Sequence, residues 1–288
     1  MTRSFPNATS RILAALTLGA VVAASGSSRA SAQSAAAAAP SATVTLTRLQ
    51  CGTNAPPTDV GLRFSDTFAF SGVMVQLTYS CYLIRHNDDY LIWDTGFAKG
   101  PAATAPKQSL LELLTLLGLA PASVKFVGIS HYHGDHVGQT SSFPQATLLI
   151  GKGDWDVVND PKLSSATNPA AFAPWVSGGS KVEPLTADKD VFGDGSVIVL
   201  NMPGHTPGHH SLLVKLKETG NVLITGDLSH FRENYDSNGI PTFNTDRAAS
   251  LASIDRFKQI ARNLKATVII QHDQRDVAKL PVFPAAAK

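Results

Sequence analysis

The sequence predicts an α+β protein in which two packed sheets, covered by helices, form a single domain. Three observations predict it. Short runs rich in β-branched and aromatic residues dominate from residue 43 onward, helical stretches are interspersed with them without strict alternation, and no repeat period or interior linker interrupts the chain. With 288 residues, 43% hydrophobic and 16% charged, the chain has enough apolar material to bury a sizeable core.

The first 32 residues stand apart from that core. Arg3 and Arg11 precede the apolar run 12–24, and Ala30, Ser31 and Ala32 offer a small-residue cleavage site, the three-part layout of a secretory signal. The run is too short to span a bilayer as a mature helix. The expectation is a periplasmic or secreted protein with residues 1–32 removed and no stable membrane anchor. Residues 33–42, QSAAAAAPSA, are a flexible Ala-rich lead-in to a domain spanning 43–288. Losing Arg3, Arg11 and Arg29 leaves 21 of the 24 basic residues against 22 acidic ones, so the formal charge goes from +2 to −1. Nucleic acid and anionic membrane surfaces then have no electrostatic claim on the protein. An oxidising compartment permits Cys51 and Cys81 to pair, but sequence alone leaves a bridge and two free buried thiols equally open.

Within the domain, strands are expected over 43–49, 75–84 and 90–93, each bounded by Gly, Asn or Asp. The Leu-rich stretch 109–119 reads as a short amphipathic helix facing the core, a lid being the other reading. Further strands fit 126–129, 147–150 and 197–202, then the pair 210–216 and 222–225 joined by a turn at 218–221. Apolar residues at 251, 254, 257, 260, 261 and 264 give 246–264 a helical spacing, and 267–270 closes with a strand.

The chemistry lies where these strands end. SHYHGDH at 130–136 puts His131, His133, Asp135 and His136 directly after an apolar run. His205 in MPGHTPGHH, Asp227 in LITGD and His272 in VIIQHD each follow an apolar strand and begin a loop. Donors on rigid strand ends can converge from distant parts of a chain. Seven His and Asp donors exceed what one tetrahedral zinc ion uses, yet they suit two ions sharing a carboxylate. The His-rich set favours zinc over calcium or magnesium, with other divalent transition metals left open. One of His209 and His210 is expected beneath the site, and Asp94 in WDTG either holds a ligand's outer N–H or caps a turn.

HYHGDH at 131–136 resembles the H-x-H-x-D-H signature of the metallo-β-lactamase superfamily, and the PGHTPGH, TGD and terminal His blocks recur in the same order. The resemblance covers roughly residues 43–280. It implies a four-layer αβ/βα sandwich with a two-metal site at one edge. One metal would take His131, His133 and His205, the other Asp135, His136 and His272, with Asp227 bridging. True β-lactamases of this fold generally lack a bridging aspartate. CYLIRH, LIWDTG, PGHTPGHHSL and His272 followed by Asp273 look like the N-acyl homoserine lactonases. Many of those carry a Tyr three residues after the bridging acid, where this chain has His230. The resemblance therefore implies a hydrolase of ester bonds with two Zn²⁺ that opens a lactone, a small-molecule substrate. Asp135 would hold the nucleophile, and His230 would stand in as hydrogen-bond donor. A periplasmic β-lactamase-like or other carboxylic ester or thioester hydrolase is the alternative. Nothing in the sequence speaks to oligomeric state.

Overall fold

The computed structural model describes residues 42–288 apart from 54, 55 and 62. The expected signal segment, and all of the lead-in but its last residue, lie outside the described residues. Strand β1 (Val44–Gly52) is followed by a small hairpin of β2 (Thr58–Asp59) and β3 (Met74–Val75), then by β4 (Tyr79–His86) and β5 (Asp89–Trp93). After helix α1 (Leu110–Leu116) come β6 (Val124–Gly128), α2 (Gly134–Val137), β7 (Thr147–Gly151), α3 (Lys152–Asn159), α4 (Pro169–Val176) and β8 (Val182–Leu185). The second half holds β9 (Lys189–Asp190), β10 (Val197–Asn201), β11 (His210–Leu216), β12 (Gly220–Ile224), α5 (Arg232–Asp236), α6 (Arg247–Asn263), β13 (Thr267–Ile269) and α7 (Gln274–Val277).

Besides the two-stranded β2-β3 sheet, two large sheets form among the described residues, six strands in the order β1-β4-β5-β6-β7-β8 and five in the order β13-β12-β11-β10-β9. Side chains alternate across a strand, and that alternation sorts the side chains of the two large sheets into three apolar cores, a fourth and smaller cluster being built from Val60, Phe64, Phe70, Leu77 and Phe231. In β1, β4 and β5 the even or odd partners Leu46, Tyr82, Ile84, Leu91 and Trp93 turn inward to meet Val199, Leu212, Val214, Val222 and Ile224 of the second sheet. Their neighbours Leu49, Leu83 and Ile92 turn outward and are covered by Leu110, Leu113 and Leu114 of α1 and by Phe172 and Trp175 of α4. On the far side Leu213 and Leu223 pack under Ile254, Phe257 and Ala261 of α6. Helices, sheet, sheet and helix thus form four layers, the αβ/βα sandwich.

The helices start where their chemistry allows. Ser109 accepts from the Glu112 N–H while the Glu112 carboxylate reaches back to the Ser109 N–H, a capping box. Asp246 caps α6 through the Ala249 N–H. The Leu-rich stretch is a core-facing helix, shorter than the expected 109–119. One expected strand needed correction. The strand expected over 75–84 is broken, because residues 76–78 leave the hairpin before β4 begins at Tyr79. Helices α3 and α4 and strand β8 were not anticipated. In α4 the two prolines, Pro169 in the first turn and Pro174 inside, disguise a helix that packing stabilises.

Cys51 and Cys81 form a disulfide with a Cα–Cα distance of 5.7 Å. The bond ties β1, the outermost strand of its sheet, to its neighbour β4. Replacing both cysteines by Ala is expected to lower the unfolding free energy by about 2–4 kcal/mol, read from the urea midpoint together with the slope, which rises as the released chain expands. An unchanged midpoint would mean the bridge adds nothing.

Candidate metal centre

Five strands point their C-terminal ends at one edge of the sandwich, and each end carries a polar residue of the site. Asp94 follows β5, His131 follows β6 by three residues, His205 follows β10, Asp227 follows β12 and His272 follows β13. The short helix α2 then returns Asp135 and His136 to the same place. Two groups of donors form there: His131, His133, His205 and Asp227 in one, Asp135, His136 and His272 in the other, with ligand atoms within 4.8 Å of one another in each. Asp227 also spans both, its Oδ2 lying 3.3 Å from His205 Nε2 and its Oδ1 2.8 Å from His272 Nε2.

Why should this convergence fit cations? In the first group His131 Nε2, His133 Nδ1 and His205 Nε2 lie 2.9–3.2 Å apart. In the second, His136 Nε2 and His272 Nε2 are 3.2 Å apart. Three of the outward nitrogens are bonded to strong oxygen acceptors. His205 Nδ1 faces Asn244 Oδ1 at 2.8 Å, His272 Nδ1 the Thr78 carbonyl at 2.8 Å, and His136 Nδ1 Asp94 Oδ2 at 2.8 Å. An imidazole that donates outward presents a lone pair inward. Lone pairs facing one another about 3 Å apart repel unless a positive charge sits between them. Burial disfavours charge on His136 and His272, yet the carboxylates of Asp227 and Asp135 outweigh it and hold both rings above the ordinary histidine range. A field that attracts a proton to this spot attracts a metal cation as well. By contrast burial pushes His131 well below that range and His133 down to about 4, so both are neutral donors at pH 7. The residues present fit two transition-metal ions sharing Asp227.

A second ring of contacts holds the donors in place. Asp94 is fully buried and accepts from Ser130 N, Ser130 Oγ, His136 Nδ1 and Gln271 Nε2, so of its two expected roles it takes that of holding a ligand's N–H. His209 Nδ1 donates to the Met202 carbonyl, and its Nε2 accepts the Asp227 N–H at 2.9 Å. Gly226 makes that contact possible. Its φ is +58°, and a Cβ there would meet His209 Nε2 at 2.7 Å. His210 lies apart, donating from Nδ1 to the Gly208 carbonyl. Sequence reasoning missed Asp154 and Asn244. Asp154 is buried and accepts from Tyr132 N, Thr206 Oγ1 and Gly208 N, which clamps the 131–136 loop to the 203–209 loop. Burial pushes its carboxyl up to about 7 against those donors. Asp154 sits in GKGDWD and Asn244 in PTFNTD, and no local pattern marks either as part of a site.

His230 lies beside Asp227, its Nε2 3.0 Å from Oδ2, boxed in by the rings of Phe64, His205 and His272. Burial pushes this imidazole down to about 4. A cavity of about 400 Å³ opens onto Asp135, Asp227 and His272, walled by Phe64, Leu77 and Phe243. Tyr79 also lines it, and burial together with the nearby Asp135 and Asp227 charges raises its phenol to about 12.

Residues 75–272 match the metallo-β-lactamase superfamily. The chain belongs to that superfamily. It is 30% identical over 236 residues to the N-acyl homoserine lactonase AttM of Azorhizobium caulinodans, a match covering 70% of this chain and 84% of that protein. Among solved structures it is similar to a quorum-quenching N-acyl homoserine lactone lactonase, with a TM-score of 0.70 at 22% identity over 86% of this chain and 99% of that one. A second is an N-acyl homoserine lactone hydrolase with N-hexanoyl-L-homoserine at its catalytic metal centre, with a TM-score of 0.68 at 22% identity over 86% and 100%. These two likenesses concern the metallo-β-lactamase fold alone.

If Asp94 fixes the His136 ring, Asp94→Ala should weaken metal binding by about 10–100-fold, the usual effect of losing a partner that orients a ligand. Competition with a chromophoric chelator measures it, and an unchanged affinity would leave Asp94 with a folding role only.

Proposed function

We propose that the chain is an exported, dinuclear metal-dependent hydrolase that opens a lactone ring, with zinc as the metal and an N-acyl homoserine lactone as substrate. The observation that carries the reading is the pair of donor groups joined by Asp227, open to a cavity with apolar walls. The lactonase relative noted above supports the substrate class. The imidazole-rich donor set supports zinc. The Cys51–Cys81 disulfide supports an oxidising compartment. Among the described residues no helix is long and apolar enough to cross a membrane.

When bound, the two ions supply Lewis-acid polarisation of an ester carbonyl and a water acidified toward neutrality. The protein's own side chains do the rest. Asp135 is partly exposed to the cavity, with Oδ2 3.6 Å from both His136 Nε2 and His272 Nε2. Its carboxylate accepts a hydrogen bond from the attacking water and so turns the oxygen lone pair toward the carbonyl carbon. Phe64, Leu77 and Phe243 take the acyl chain and exclude competing water, as apolar linings of small-molecule sites do. His230 restrains the Asp227 carboxylate through Nε2.

Zinc-loaded protein should open N-hexanoyl homoserine lactone and leave the lactam nitrocefin untouched. The reverse preference would replace this reading with a β-lactamase-like one. Asp227→Ala removes the shared carboxylate, so metal content should fall toward one equivalent and lactone turnover by at least about tenfold. Wild-type metal content and rate in that variant would end the bridging role. Export predicts a mature N-terminus at or near Gln33, and mass spectrometry finding Met1 intact in secreted protein would contradict it.

A further inference from the structure

Opening an ester leaves charge on the departing oxygen, and a donor placed there is a large part of catalysis. Which side chain of this cavity can be that donor? The apolar walls offer nothing, the carboxylates only accept, and His133 and His272 belong to the two donor groups. Arg63, Tyr79 and His230 remain among the lining residues.

Geometry removes two of them. His230 Nε2 faces Asp227 Oδ2 at 3.0 Å, and a carboxylate oxygen can only accept, so the ring's N–H lies on Nε2 and is already used. Its other nitrogen, Nδ1, is buried with no hydrogen-bond partner. A proton there would be an unsatisfied buried donor, which costs about 1–3 kcal/mol. Arg63 is solvent-exposed, so its guanidinium, stacked 4.8 Å from the Phe243 ring centroid, keeps its N–H groups in water. Tyr79 differs from both. Its ring is gripped edge-on between Phe97 at 4.8 Å and His272 at 5.2 Å, beside the Asp135 and His272 donors. No described residue bonds its hydroxyl, so the O–H is free for a ligand.

We propose that Tyr79 donates the hydrogen bond to the leaving oxygen of the scissile ester, and that His230 is a positioning residue for Asp227. The inference rests on the ester-hydrolase reading above. The hydroxyl of water joins the acyl carbon, and the C–O bond breaks with its electron pair on the leaving oxygen. The proton released by water ends on that oxygen, and the Tyr79 O–H, which is not consumed, stabilises the charge in the interval. A phenol thus enters the site from the start of β4 and not from the position three residues beyond the bridging aspartate.

The test compares N-hexanoyl homoserine lactone, whose alkoxide needs a donor, with 4-nitrophenyl acetate, whose phenolate does not. Tyr79→Phe should keep wild-type metal content, lose about 10²-fold in lactone kcat, and lower the ratio of lactone to aryl-ester rates by at least about tenfold. His230→Ala should instead lower metal content and both rates together, with His230→Gln, which retains an N–H, restoring part of each. An unchanged ratio in Tyr79→Phe would overturn the proposal. So would a ratio that falls in His230→Ala. If wild-type protein opens no lactone, the lactonase reading fails by itself, and the ratio of ethyl acetate to 4-nitrophenyl acetate then tests Tyr79 in the same way. Turnover of no ester at all would overturn both.

Discussion

The buried carboxylate of Asp94 is the constraint on which the site depends. It sits at the end of β5 with φ of 56°, a left-handed backbone unusual for a residue with a side chain. Four donors converge on it, two from Ser130, one from His136 and one from Gln271, all within 2.7–2.8 Å. An unpaired carboxylate in that place would cost several kcal/mol, whereas charge-assisted bonds are about twice as strong as neutral ones and offset it. The consequence is positional. The start of the 130–136 loop, the His136 ring and the residue before His272 are all referred to one strand end. Ser130 Oγ, 3.0 Å from His131 Nδ1, extends the same reference to a further donor.

Sheet architecture explains why seven donors scattered over 142 positions meet at all. β5 and β6 run parallel, as do β12 and β13, and β10 runs in the direction of β12 because each is antiparallel to β11. Their C-terminal ends therefore emerge on one edge. His131, His133, Asp135 and His136 come from the six-stranded sheet, while His205, Asp227 and His272 come from the five-stranded one. Ions held by both sets would bridge the two sheets, so metal binding and sheet packing would stabilise one another by linkage.

Much of this was legible in the sequence because the donors are dense and sit at the ends of apolar runs. β11 was expected at 210–216 and occurs there, and α6 differs from its expected span by one residue at each end. The partners that aim the donors were harder to see. Asn244 is 39 residues from His205, and Thr78 contributes a backbone carbonyl 194 residues from His272. No local pattern marks such contacts. His230 was legible as a residue at a site position, but which group its single N–H addresses depends on the Asp227 rotamer, a tertiary fact. Tyr79 reads as an ordinary strand aromatic until the broken strand before it turns the ring toward His272.

Asp154 shows what the arrangement asks of the fold. Like Asp94 it is a buried carboxylate, but its donors are two backbone N–H groups and a hydroxyl, none of them charged. Its grip requires the 203–209 loop to approach closely, and a Cβ at Gly208 would meet Asp154 N at 2.4 Å. A fold optimised for stability alone would do better with apolar residues of similar volume at both aspartates, since buried charge is a weak source of stability. What the two carboxylates provide is placement, Asp94 for His131 and His136, and Asp154 for the loops that carry His133 and His205. The cost of burying them falls on the core beneath, where three apolar layers hold the strands whose ends they fix.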